Sequence, residues 1–201
     1  MSEGGKKPAG ITPSATVGPY FKYGLTPGGA YPFRDAFSAT VATPDTQGEH
    51  IRIKGRVLEG DGKAVPDAML EIWQADGAGR YAHPRETGAR ANTSFTGFGR
   101  SDTNAEGGFQ FETIKPGVVA GPRGKPQAPH ILVTLFARGM LRHLYTRIYF
   151  AEDAAALAAD PMLALVPAER RNTLLAKRGS DGTYAFDICI QGRGETVFFD
   201  L

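Results

Sequence analysis

Cysteine is nearly absent from this chain of 201 residues: Cys189 is the single one, so no internal disulfide can form. A lone thiol fits a reducing cytoplasm, and a cytoplasmic location is expected. Cys189 lies in the apolar run Phe186-Asp187-Ile188-Cys189-Ile190 with no base beside it, so it reads as a core residue rather than a nucleophile. An excess of either charge is also absent. Lys and Arg number 23 against 21 Asp and Glu, a net charge of +2, too little to argue for nucleic acid or a membrane surface as partner. No run approaches the roughly 20 apolar residues of a membrane span, and residues 1–10 are polar, without the apolar centre of a signal peptide. Nucleotide fingerprints, a P-loop and Cys clusters are missing. Histidine is sparse: His50, His83, His130 and His143 all stand far from one another.

What is plentiful is turn chemistry, with 26 Gly and 14 Pro, in a chain whose 41% hydrophobic and 22% charged content is ordinary for a globular protein. The length suffices to bury a sizeable core. From His50 onward the strand signals are regular. His50-Ile51-Arg52-Ile53-Lys54-Gly55-Arg56-Val57-Leu58 alternates polar and apolar residues, and Phe109-Gln110-Phe111-Glu112-Thr113-Ile114 does so again. Ala68-Met69-Leu70-Glu71-Ile72-Trp73-Gln74 reads as a strand, and a Pro-rich loop feeds another at His130. Residues 154–178 break the pattern and predict a short helical insertion in two pieces, split at Val166-Pro167, with Pro167 in a first helical turn and Gly179 as the stop. Tyr184 to Gln191 and Thr196 to Phe199 are expected to close the chain as two strands. The fold class that follows is all-β, a β-sandwich of mostly antiparallel strands. Three parts are expected: a disordered tail over 1–10, an N-terminal arm over 11–47 that contacts a partner chain, and a sandwich domain over 48–201. The rings of Tyr20, Phe21, Tyr23, Tyr31, Phe33 and Phe37 are too many for a free tail, which is why the arm calls for a partner.

His130 carries the most chemical information. Strand side chains alternate faces, so His130 and position 132 point the same way. A second His there would make a metal-binding pair, but the residue is Leu132. Taken alone, His130 is a hydrogen-bonded core histidine. His50 reads as solvent-facing and His143 as a hydrogen-bonded structural residue. Tyr81, in Gly79-Arg80-Tyr81, is either a packed ring with a bonded hydroxyl or a phenolate ligand to a hard trivalent metal.

In order along the chain come Glu71-Ile72-Trp73-Gln74-Ala75-Asp76, Gly79-Arg80-Tyr81, Thr96-Gly97-Phe98-Gly99-Arg100, Thr113-Ile114-Lys115-Pro116-Gly117, Ala128-Pro129-His130-Ile131 and Asp187-Ile188. This series resembles the intradiol ring-cleavage dioxygenases, from Thr12 to Leu201. The family's catalytic chains hold a non-haem ferric ion with two Tyr and two His. By that resemblance the first Tyr matches Tyr81 and the first His matches His130. The second Tyr falls at Val119 and the second His at Leu132, so both are absent. An Arg three residues before the first His matches Gln127, so that positive charge is absent as well. The implied reading is a chain with no metal of its own and no catalytic residue acting alone.

The runs Thr12-Pro13-Ser14-Ala15-Thr16-Val17-Gly18-Pro19-Tyr20 and Ile190-Gln191-Gly192-Arg193-Gly194-Glu195-Thr196-Val197-Phe198-Phe199-Asp200 are similar to a chain type of this family that pairs with a homologous β chain. The resemblance implies that the β chain binds the Fe(III), and that the pair uses O2 to cleave protocatechuate to 3-carboxy-cis,cis-muconate. It further implies that Thr16, Gly18, Pro19 and Tyr20 of the arm reach the partner's substrate. Gly18 permits close backbone approach and Pro19 stiffens the turn. Protocatechuate bears a carboxylate, and Arg138, at the end of the His130 strand, is the expected cation for it. The competing readings are a non-enzymatic β-sandwich binding module and a self-sufficient ring-cleaving enzyme, the latter opposed by Val119 and Leu132.

Overall fold

A computed structural model describes residues 15–18, 21–26, 38–82, 95–121 and 124–200. Its strands are β1 (His50–Leu58), β2 (Met69–Gln74), β3 (Phe98–Asp102), β4 (Gly108–Ile114), β5 (Val119–Ala120), β6 (Pro126–Gln127), β7 (His130–Phe136), β8 (Leu144–Phe150), β9 (Leu175–Arg178), β10 (Thr183–Ala185) and β11 (Ile188–Cys189). All but β5 and β6, which form a ribbon of their own, belong to one continuous sheet that folds over on itself.

One wall is β4-β1-β10, with β11 continuing along the same edge of β1 as β10. The other is β8-β7-β2-β3, antiparallel throughout. β9 joins the walls, running parallel to β8 and antiparallel to β10. Alternation dictates which side chains meet inside. Ile53, Phe111 and Tyr184 from one wall pack with Ile72, Val133 and Ile148 from the other, all buried. Each such side chain contributes about 1.5–3 kcal/mol on leaving water. Gln74 is buried among them and satisfied: its amide donates to Ile114 O at 2.8 Å, and its oxygen accepts the Thr113 hydroxyl at 2.8 Å. It thereby ties β2 to β4 across the sandwich.

The side opposite β9 is closed by residues 38–41. Arg100 N of β3 donates to Ser38 O at 2.9 Å, and Glu112 N of β4 donates to Ala39 O at 3.0 Å. Val41 N returns a bond to Glu112 O at 2.7 Å, and Val41 and Ala42 enter the main core. Gly99 makes this approach possible, since a Cβ there would lie 2.5 Å from Val41 Cγ2.

The helical insertion is shorter than expected. α-Helix Ala154–Ala159 is followed by 3-10 turns at Leu163–Leu165 and Ala168–Leu174, and Pro167 caps the last of these rather than starting its first turn. Residues 175–178, expected as helix, are strand β9, because Leu175 and Ala176 find hydrogen-bonding partners at Tyr149 and Phe150 of β8. Gly179 therefore ends a strand, and its N–H bonds Thr183 O at 2.8 Å to turn the chain into β10. The expected strand over 184–191 is broken into β10 and β11, with the Asp187 carboxylate accepting Arg56 N at 2.8 Å at the break. Residues 196–199 make an isolated bridge, Tyr145 to Phe199, instead of a strand. Cys189 is half-exposed rather than a core residue, since alternation from buried Ile188 turns it outward. Among the described residues no helix is long and apolar enough to cross a membrane.

Candidate functional site

Register assembles the site. Leu132 on β7 lies between Trp73 of β2 and Arg147 of β8, so the three side chains share the outer face of the sheet. His130, two residues back on β7, shares that face and pairs with Tyr149. Tyr81 stacks on Trp73, ring centroids 5.9 Å apart and planes 13° from parallel. Val119 pairs with Gln127 in the β5–β6 ribbon, and Gln127 Oε1 accepts a hydrogen bond from Arg147 Nη1 at 2.8 Å. Leu132 and Gln127 thus adjoin one guanidinium, Val119 lies next to Gln127 and His130 next to Tyr149, while Tyr81 lies on Trp73 one strand further on.

Local sequence explains how Tyr81 is delivered. Asp76 Oδ1 accepts Ala78 N and Arg80 N, each at 2.9 Å, while Oδ2 accepts Arg80 Nη2 at 3.0 Å. The tight turn this makes passes Gly79 at a φ of 78°, and a Cβ there would lie 1.9 Å from Val118 O. Glycine at 79 is what lets the Tyr81 turn lie directly on the segment leading to Val119.

His130 is 2% exposed and its Nδ1 is 2.8 Å from Ala128 O. A carbonyl only accepts, so Nδ1 carries the proton and Nε2 the lone pair. Burial, reinforced by the Arg147 charge, pushes its pKa down to about 4. Burial pushes the Tyr149 phenol up to about 12, although Arg147 pulls the other way. Both groups are neutral near pH 7. Beneath them Asp160, 1% exposed, accepts Ala128 N at 2.8 Å, Met162 N at 2.8 Å, Leu163 N at 2.7 Å and the Tyr149 hydroxyl at 3.3 Å. This carboxylate, which the sequence reading passed over, locks the strand start to the helical insertion. Its only sequence signal is an Asp ahead of a short helical turn.

The donor set is a poor match for a ferric ion. Val119 and Leu132 bring only hydrocarbon, and Arg147 adds positive charge where a trivalent cation would need anionic ligands. The positive charge expected to be missing at Gln127 is in fact present, carried from the neighbouring strand by Arg147.

A second cluster sits at the far end of β7. Six residue rises, roughly 20 Å, separate His130 from Phe136. There Gly139 N donates to Thr16 Oγ1 at 2.9 Å, and Arg138 forms an ion pair with Asp67. Ala15 and Val17 face Phe136, Met140 and Leu141 across a groove of about 110 Å³. Gly18 O accepts Phe21 N at 3.2 Å, opening α1 (Phe21–Leu25), and Leu25 O accepts Arg100 Nη1 at 2.9 Å. The structure brings Thr16 to the Arg138 turn, at the opposite end of β7 from His130. Pro19 and Tyr20 lie outside the described residues, as do His83, Tyr31, Phe33, Phe37 and residues 1–10. His143 Nε2 is hydrogen-bonded to the Tyr145 hydroxyl at 2.6 Å, and exposed His50 to Thr46 O at 2.9 Å, both as expected.

This folded-over all-β sheet carries Tyr81 and His130 on one outer face, and the dioxygenase family model matches residues 18–192. The chain belongs to the intradiol dioxygenase family. It is 51% identical over 197 residues to a protocatechuate 3,4-dioxygenase alpha chain of Burkholderia cepacia, covering 94% of this chain and 97% of that one. To a protocatechuate 3,4-dioxygenase beta chain of Burkholderia cepacia it is 38% identical, over 81% of this chain and 73% of that one. Among solved structures, catechol 1,2-dioxygenase from an Acinetobacter species superposes with a TM-score of 0.60 at 21% identity, over 75% of this chain and 55% of that one, a likeness of fold.

Proposed function

We propose that this chain is the α subunit of a heteromeric protocatechuate 3,4-dioxygenase, with a homologous β chain as its partner and a cytoplasmic location. The 51% identity to such an alpha chain, extending over 94% of this one, supports the reading. The observation that carries the division of labour is the guanidinium of Arg147 beside Leu132 and bonded to Gln127, with only hydrocarbon at Val119 and Leu132. A ferric ion belongs instead to the β chain, where it would activate a chelated catecholate towards O2. This chain's task at that reaction is to complete the substrate pocket. The arm residues assigned to the flat ring are Thr16, Gly18, Pro19 and Tyr20, and the bond of Gly139 N to Thr16 Oγ1 at 2.9 Å holds Thr16 next to the Arg138 turn. Arg138 then meets the substrate carboxylate, a charge-assisted contact that plain catechol cannot make.

Purification of this chain alone and co-expressed with a β chain tests the assignment. The expected result is iron, a visible ligand-to-metal charge-transfer band and ring cleavage in the co-expressed complex, and none of these in the single chain. Stoichiometric iron and a deep red colour in this chain by itself would overturn it.

A further inference from the structure

Arg147 is half-buried and held only by neutral groups: Nη1 donates to Gln127 Oε1 at 2.8 Å and to the Tyr149 hydroxyl at 3.2 Å. Among the described residues no carboxylate lies within ion-pair distance of it, whereas Arg52, Arg56, Arg80, Arg100, Arg138, Arg170 and Arg178 all have one. Asp160 comes near only through Tyr149, to which it is also bonded. The Nε–Nη2 edge of the guanidinium has no protein acceptor among the described residues, and neither nitrogen is a buried orphan. That edge is the fork that grips a carboxylate with two parallel bonds. On the same face Leu132 is the neighbour of Arg147 across the β7–β8 register, Trp73 with Tyr81 stacked on it comes next on β2, and the Phe199 ring centroid is 5.8 Å from the guanidinium carbon.

We infer that Arg147, Gln127 and Tyr149 with these apolar walls form a binding site on this chain for the carboxylate of a small aromatic acid. The charge is fixed in place by Gln127 and Tyr149 before the ligand arrives, so little ordering cost is left to binding. A partly desolvated guanidinium without a counter-ion gains an anion, and the rings bury the ligand's apolar body. The site is complete within this chain. Its existence is therefore independent of the subunit assignment, and either can fail with the other intact.

Trp73 is the chain's single tryptophan, so its fluorescence reports on this face alone. The probe is benzoate, titrated into the full chain at constant ionic strength, with benzyl alcohol as the same ring without the charge. The expected result is a saturable change with benzoate and none with benzyl alcohol, matched by calorimetry. Arg147→Met should weaken benzoate binding by at least about tenfold, the factor that loss of a charge-assisted pair implies. Arg147→Lys, which keeps the charge and loses the fork, should fall between. Circular dichroism checks that the variants fold, and the comparison of the two probes requires no variant at all. An equal response to benzyl alcohol, the absence of saturation by both methods, or unchanged affinity in a folded Arg147→Met protein would overturn the inference.

Discussion

Leu132 stands directly opposite Arg147 in the β7–β8 register, and Arg147 reaches past it to Gln127 at 2.8 Å. An apolar side chain and a guanidinium thus occupy neighbouring places on the face that also holds Tyr81 and His130. The guanidinium binds Gln127, the position at which the family resemblance had implied a lost Arg. This face carries a positive charge and, at Val119 and Leu132, no donor for a metal. The catalytic division between two chains proposed above rests on that pairing.

Arg138 tests the role assigned to the far end of β7. In the assembled complex, Arg138→Ala should raise KM for protocatechuate about tenfold more than KM for catechol, because a charge-assisted bond contributes about 1.5–3 kcal/mol. Steady-state kinetics with both substrates measures it. Equal changes for the two would assign Arg138 to its ion pair with Asp67 and to no substrate contact.

His130 should impose a pH dependence on stability. Its imidazole titrates at 6.5 when unperturbed and at about 4 in the fold. Between those values the unfolded chain binds more protons than the folded one, so stability falls as pH drops. The contribution is complete above about pH 6.5, is lost towards pH 4, and amounts to about 3 kcal/mol over the window. His130→Asn keeps a donor for Ala128 O and removes the titration. Urea unfolding from pH 7 to 5.5 should therefore show a flatter profile for the variant than for the parent. Parallel profiles would exclude His130 as the source.

Asp160 is predicted to matter more for stability than its place in a surface insertion suggests. Asp160→Ala strands the N–H groups of Ala128 and Leu163 away from water. An unmade buried bond costs about 1–3 kcal/mol each, so a loss of about 3 kcal/mol or more is expected from the urea midpoint. Asp160→Asn, which retains an acceptor, should lose about half as much.

Gly99→Ala should loosen the closure of the sheet. The added Cβ would meet Val41 Cγ2 at 2.5 Å and Ser38 O at 3.2 Å. Crowding of this kind costs about 1–3 kcal/mol. Hydrogen exchange should accelerate at Arg100 and Glu112, whose N–H groups bond Ser38 and Ala39, before it does so elsewhere in β3 and β4.

Alternation made β1, β4 and β7 legible from sequence, because a half-buried strand must show its two faces in turn. The same rule placed His130 and Leu132 side by side. Where two residues or fewer of a segment pair, as in β11, or where the partner rather than the residues selects the strand, as in β9, periodicity has nothing to show. Residues 175–178 were therefore expected as helix. Cys189 was misplaced for a related reason: an apolar run conceals which of its members faces outwards.

The linear chain determined the all-β class and the identity of the residues at positions 81, 119, 130 and 132, and hence that two of the four carry no donor atom. Side-chain chemistry is a property of the sequence, and no folding can make a donor of Val119 or Leu132. Only the tertiary structure decided what stands beside them. Arg147 lies 15 residues beyond Leu132 and 20 beyond Gln127, and its guanidinium reaches this face because β8 returns antiparallel to β7 in one particular register. Register is chosen by which apolar faces can be buried together across the whole sandwich, a condition no local stretch of sequence contains.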